Sequence, residues 1–182
     1  MTINTKNIFR KAFRAIIIRD NKILMIKTSR GDYKFPGGAL EENEIPKEAL
    51  AREVKEESGY KDCVIIQCLG KVVEKRKDKY DPDLSFNMIS EYYLCTVGAK
   101  GELELSENEK RFHFQPQWIN INTALDENNK FIAKGALFSD WVYRETKVLK
   151  HLSQSDFSNG IKEFHFVLDK LNKKSNEEDI ID

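Results

Sequence analysis

Apolar and polar positions along the chain fall into segments of two different periods. Residues 13–18 (FRAIII) and 22–28 (KILMIKT) are β-branched, apolar runs separated by Arg19-Asp20-Asn21, a pattern that predicts a β-hairpin. Ser29-Arg30-Gly31-Asp32 is a second turn signal ahead of the short segment Tyr33-Lys34-Phe35. From Pro46 to Ser58 the period becomes helical. Pro46 suits the first helical turn, where an N–H would have no intrahelical partner, and Gly59 suits the position just past the end. Strand-like runs resume at 62–69 (DCVIIQCL), 71–75 (KVVEK) and 91–97 (EYYLCTV), the last two divided by the polar loop KRKDKYDPDLSFN. A second polar loop, GAKGELELSENEK, precedes the strand-like FHFQPQWINI at 112–121.

Towards the C-terminus, residues 137–152 carry Leu137, Trp141, Val148 and Leu152 with Phe138, Val142 and Leu149 beside them, which predicts an amphipathic helix. Residues 160–171 (GIKEFHFVLDKL) fit helix or strand, and their apolar spacing favours helix. The tail after Leu171 is polar and predicted to fray. No internal repeat and no Pro- or Ser-rich linker divides the chain, so one mixed α/β domain is the simplest account.

Composition removes several classes of function. Thirty Lys and Arg balance thirty Asp and Glu in 182 residues, so no global field points to extended nucleic acid or to an anionic membrane. Cys63, Cys68 and Cys95 are an odd number without Cys-x-x-Cys spacing, and read as small hydrophobes of a reduced protein. No apolar run approaches the roughly 18 residues of a membrane span. The basic start of the chain leads into only about six apolar residues before Arg19-Asp20, too short for a secretory signal, which predicts the cytoplasm.

The segment FPGGALEENEIPKEALAREVKEESGY (35–60) holds the candidate chemistry. On a helix, Glu53, Glu56 and Glu57 are spaced i, i+3, i+4 and share one stripe, beside an arc with Leu50 and Val54 that can pack on a sheet. Unpaired, these carboxylates repel one another. A hard divalent cation removes that repulsion, and Mg²⁺ binds such oxygens while keeping waters and substrate phosphates among its ligands. Gly37 and Gly38 allow a close approach of backbone to an ion or phosphate. Arg52 and Glu44 are placed to tie that loop to the helix.

Written as Gly38, five residues, Glu44, seven residues, then Arg52-Glu53-Val54-x-Glu56-Glu57-x-Gly59-Tyr60, the segment resembles the signature of the Nudix hydrolase (MutT-like) family, with every fixed position matched. Tyr60 stands where an aliphatic residue is more usual. Pro36-Gly37 and Glu41 are also similar to common family features. The resemblance implies an α/β/α sandwich around a mixed β-sheet, with a Nudix domain over 1–152; residues 153–182 lie outside the resemblance and are expected to pack on the same domain as a C-terminal extension with a frayed tail. It implies hydrolysis of a nucleoside diphosphate linked to another group, using Mg²⁺ or Mn²⁺. Gly38 (through its carbonyl), Glu53, Glu56 and Glu57 become metal ligands, and Glu53, Glu56, Glu44 and Arg52 the catalytic set. Glu53 and Glu56 are the general-base candidates within the signature. Glu107 and Glu109, in the loop before Phe112, are the candidates outside it.

Tyr33 and Phe35 are candidates for stacking on a base. Marks that resemble those of particular subfamilies are missing. No proline stands about sixteen residues past the signature, Pro82 comes later, and Tyr80 only approximates the tyrosine of another group. Their absence leans towards nucleoside triphosphates or a broad nucleotide set. A non-catalytic Nudix-fold nucleotide sensor is the alternative, but such proteins tend to lose signature glutamates and this chain keeps them all. Many relatives are dimers, which makes a homodimer through 153–171 an expectation.

Overall fold

The computed structural model describes residues 6–77, 81, 84–135 and 140–169. β1 (Lys6–Arg19) and β2 (Lys22–Lys27) form the expected antiparallel hairpin. Its turn residues Asp20 and Asn21 have φ of 51° and 58°, the left-handed conformation that a two-residue hairpin requires and that Asp and Asn tolerate. There follow β3 (Tyr33–Lys34), α1 (Pro46–Ser58), β4 (Val64–Lys77), β5 (Leu84–Thr96), α2 (Glu107–Arg111), β6 (Gln115–Ile119), α3 (Ile121–Ala133), α4 (Asp140–Ser153) and β7 (Phe164–Asp169).

The seven strands run in the order β3-β2-β1-β5-β4-β7, with β6 also paired to β2. β1 is parallel to β5 and β4 to β7, while the other pairs are antiparallel, so the sheet is mixed. Alternation along β1 divides the core in two. Phe13, Ala15 and Ile17 pack with Ala49, Leu50 and Val54 of α1. Ile16 joins the opposite cluster, with Ile121 and Ala124 of α3 and Val148, Leu149 and Leu152 of α4. Helices therefore cover both faces, as an α/β/α sandwich. Each fully buried leucine, such as Leu50 or Leu149, contributes about 1.5–3 kcal/mol to holding a layer.

α1 has the bounds expected of it, and Gly59 closes it at φ 74°. Five expectations are corrected. The two strand-like runs at 62–69 and 71–75 are one strand, bent by irregularities at Ile65/Gln67 and Cys68/Gly70. Much of the polar segment 75–87 belongs to strands, because β4 and β5 pair as far as Lys77 and Ser85. The 98–110 loop contains α2, and the 112–121 run is a strand only over Gln115–Ile119 before α3 begins. Of the 160–171 segment, the described residues 160–169 form no helix. β7 uses a period of two, with Phe164 and Phe166 both buried, and gains backbone partners on the edge of β4. Leu137, Phe138 and the tail after Leu171 lie outside the described residues. Among the described residues no helix is long and apolar enough to cross a membrane.

Candidate active site

The loop between β3 and α1 is tied to β1. Phe13 N–H donates to the Gly38 carbonyl and Ala15 N–H to the Pro36 carbonyl, each at 2.9 Å. A Cβ on Gly38 would stand 2.2 Å from Oε1 of Glu53, so a side chain there would push that carboxylate out of its present position. Glu57 is 1% exposed. Its Oε2 accepts from Gly37 N–H at 3.0 Å and its Oε1 pairs with the Lys34 ammonium. Burial pushes the Glu57 carboxyl up to about 7, against the opposing pull of the Lys34 charge and hydrogen bond.

Arg52 organises the other end of the helix. Its Nε and Nη2 donate to the two oxygens of Glu44 at 2.9 and 3.0 Å, a bidentate fork. Nη1 reaches Glu53 Oε1 at 3.0 Å and Glu56 Oε2 at 3.3 Å, and Nη2 also approaches the Ala39 carbonyl at 3.3 Å. The hydrogen bond from Arg52 holds Glu44 below the usual carboxylate range. Burial raises Glu56, with the Arg52 charge opposing.

Carboxylate oxygens of Glu53, Glu57 and Glu109 lie within 4.8 Å of one another. Oxygens that share one hard cation at about 2.0–2.6 Å stand up to about 4–5 Å apart, so the trio could hold a divalent ion. Glu109 belongs to α2 rather than α1, and its Oε2 accepts from Ser106 N–H at 2.7 Å, which fixes the side chain. The trio opens on a cleft of about 360 Å³ that Gly37 and Gly38 also line.

Two cations share the cleft, Lys34 and Arg14. Arg14 is 7% exposed, and its Nη1 donates to the Gly37 carbonyl. Its buried Nε has no acceptor among the described residues. Phe112, Phe114 and Trp141 complete the lining on an aromatic side.

Of the residues expected from the sequence, Gly38, Glu53, Glu57 and Glu109 meet at this cleft. Glu44 and Arg52 pair beside it. Glu56 points to Arg52 and stands outside the trio. Glu107 is exposed and pairs with Lys110 at 2.8 Å. Tyr33 and Phe35 do not line the cleft and are corrected as stacking candidates. The Tyr33 hydroxyl bonds to Gln117 at 3.0 Å, and Phe35 is fully buried edge-on to Tyr92. Tyr80 and Pro82 lie outside the described residues. Arg14, Lys34, Phe112, Phe114 and Trp141 were not foreseen. The available signals were single cations inside the apolar strands FRAIII and YKF, and Ser106-x-x-Glu109, a capping-box spacing that marks α2.

A mixed sheet between helical layers, with a loop–helix presenting braced glutamates at a cleft, defines a class of protein rather than a single activity. The chain belongs to the NUDIX family, whose domain model matches residues 8–140. It is 46% identical over 52 residues to an ADP-ribose pyrophosphatase of Methanocaldococcus jannaschii, covering 26% of this chain and 31% of that protein. It is 41% identical over 73 residues to an 8-oxo-dGTP diphosphatase of Proteus vulgaris, covering 39% of this chain and 62% of the relative. Both matches span less than two thirds of the relative's length. A MutT protein from Bacillus halodurans has the same fold, with a TM-score of 0.58 at 16% identity over 89% of this chain and 90% of that one.

Proposed function

We propose that this chain is a divalent-metal-dependent Nudix pyrophosphohydrolase, using Mg²⁺ or alternatively Mn²⁺, that cleaves a nucleoside diphosphate linked to another group. One observation carries the reading: carboxylates from α1 and α2 converge within 4.8 Å at the mouth of a cleft that also holds two buried cations. Glu53 and Glu57 would hold the metal, with the Gly38 carbonyl as a further oxygen, and Glu109 faces them within the same 4.8 Å. When bound, a divalent ion supplies neutralisation of phosphate charge and acidification of water.

The remaining work falls to this chain's side chains. Arg52 and Glu44 keep the loop and helix in one geometry, so the ligand oxygens need no reorganisation when the substrate arrives. Arg14 offers its free Nε and guanidinium charge to a phosphate oxygen. Glu53 and Glu109 line the cleft, whereas Glu56 and Glu107 do not. Glu109, on α2 opposite the signature helix in sequence, is therefore the carboxylate assigned to take the attacking water's proton. Nucleoside triphosphates and related nucleotides are the substrates favoured. The ADP-ribose and 8-oxo-dGTP activities of the relatives belong in the same panel.

The test is a panel of nucleoside triphosphates (oxidised ones included), ADP-ribose, dinucleoside polyphosphates and nucleotide sugars, incubated with Mg²⁺ or Mn²⁺ and resolved by phosphorus NMR. Expected is metal-dependent cleavage between two phosphorus atoms of at least one member. Tight binding of a member with no cleavage of any would instead favour a nucleotide sensor.

A further inference from the structure

Trp141 is held at the cleft in an unusual way. Its Nε1–H donates at 2.7 Å to Oδ2 of Asp32, a carboxylate with no solvent exposure. The other oxygen of Asp32 accepts from the Thr28 hydroxyl, and the Asp32 carbonyl accepts from Thr28 N–H at 2.9 Å. Burying a carboxylate is costly unless its hydrogen bonds are made. Trp141 is only partly buried and lines the cleft, so this bond holds a ring that is not enclosed in the core. The anchor fixes the plane of a ring that the cleft exposes.

That ring stands among others. Phe112 meets Trp141 edge-on, with centroids 5.8 Å apart and planes at 85°. Phe114 lies 6.2 Å from Phe112 and carries the Lys34 ammonium 4.6 Å from its centroid. The cleft is thus lined both by aromatic rings and by the charged groups of Glu53, Glu57, Glu109 and Arg14. A cleft of about 360 Å³ falls in the range that takes a small organic ligand. A ligand matching both kinds of lining has an anionic phosphate part joined to a flat π-system.

We propose that Trp141, oriented by Asp32, is the nucleobase-stacking residue of this cleft, which restricts the substrates to base-bearing diphosphates over base-free ones such as sugar or inorganic diphosphates. The inference rests on the nucleotide reading above and specifies its substrate class. Trp141 touches the base. Asp32 acts through Trp141 and is a positioning residue.

The test is binding without cleavage. Trp118→Phe leaves Trp141 as the sole tryptophan. In that background, α,β-methylene-ADP, whose methylene bridge resists hydrolysis, is titrated with Mg²⁺ against methylenediphosphonate, which lacks a base. Expected is quenching of Trp141 by the nucleotide analogue and none by the diphosphonate. In the otherwise wild-type chain, Trp141→Ala weakens the nucleotide analogue by about 5- to 150-fold, the range spanned by base–aromatic stacking. Trp141→Phe, which keeps a ring, recovers part of that loss, and both variants leave the diphosphonate affinity within about twofold, which also reports an intact fold. Asp32→Asn keeps an acceptor for Nε1 and binds like wild type, while Asp32→Leu loses base-dependent affinity only.

Equal fluorescence responses to both ligands, or nucleotide affinity unchanged in Trp141→Ala, overturn the proposal. Failure of the nucleotide analogue to bind the wild-type chain overturns it too. An unaltered Asp32→Leu removes the positioning role. Cleavage enters neither readout, so a chain that stacks bases but hydrolyses nothing sinks the enzymatic reading and leaves this one standing.

Discussion

Lys34 and Glu57 form an ion pair at the cleft, with side chains only 9% and 2% exposed. Burial outweighs the attraction, which is why Glu57 rises from an ordinary 4.5 to about 7. A carboxyl raised on folding binds its proton more tightly in the native state. Its contribution is full below the unfolded value and is lost as pH climbs through the folded one. The metal-free protein should therefore lose stability between about pH 5 and pH 8, by up to ~3 kcal/mol at 1.36 kcal/mol per unit. Urea midpoints in chelator measure this, and Glu57→Gln should flatten the decline. Added Mg²⁺ should restore stability at the alkaline end, where the carboxylate is free to take it. An undiminished slope in Glu57→Gln places the titration elsewhere.

The Arg52–Glu44 fork predicts a geometric effect. Arg52→Ala leaves Glu44, Glu53 and Glu56 without their shared cation. Catalytic rate and metal affinity should fall about 10- to 100-fold, as when partners that orient metal ligands are removed. Arg52→Lys keeps the charge but not the planar fork and should recover only part of the loss. Titration of activity with Mg²⁺ checks it. A wild-type metal dependence in Arg52→Ala would remove the brace from the account.

The two glutamates of α2 should behave differently. Glu109 lies within the carboxylate trio, whereas the Glu107 side chain is 87% exposed beside Lys110. Glu109→Gln should lower kcat by roughly 10²–10⁴-fold, the worth of a general base. Glu107→Gln should stay within about twofold, since surface substitutions of this kind perturb little. Steady-state rates at saturating Mg²⁺ decide. Parity between the two variants would move the proton acceptor back into α1.

The glutamate half of the candidate site was legible because it is written in one contiguous stretch. Gly38, Glu44, Arg52, Glu53 and Glu57 are placed by the phase of a single helix and its loop, and helical phase can be counted along a sequence. The rest of the cleft is assembled from β1, β3, the Phe112–Phe114 segment and α4, which only the sheet order brings together. Arg14 looked like one polar residue in an apolar run, and Trp141 like one member of a helical core stripe. Asn128 shows the same limit in α3. Its side chain accepts from Tyr33 N–H at 2.7 Å and donates to the Tyr33 carbonyl at 3.0 Å, serving β3 as a strand neighbour would. The partner that makes that buried asparagine useful lies 95 residues away. β7 was misread because Ile161, Phe164 and Leu168 satisfy a helical spacing while Phe164 and Phe166 satisfy that of a strand.

That ambiguity yields a stability test. In β7 the residues Phe164 and Phe166 face one cluster, with ring centroids 5.2 Å apart, and His165 between them points the other way. Removing the Phe166 ring should cost about 3–5 kcal/mol, the usual penalty for a buried phenylalanine replaced by alanine. His165→Ala should cost under ~0.5 kcal/mol. A helix over the same residues would turn Phe166 about 200° from Phe164, making Phe164 and Leu168 sensitive and Phe166 tolerant. Urea midpoints of the alanine variants at 164, 165, 166 and 168 separate the two patterns. Sensitivity at 164 and 166 together supports the strand on the β4 edge, and sensitivity at 164 and 168 with a tolerant 166 overturns it.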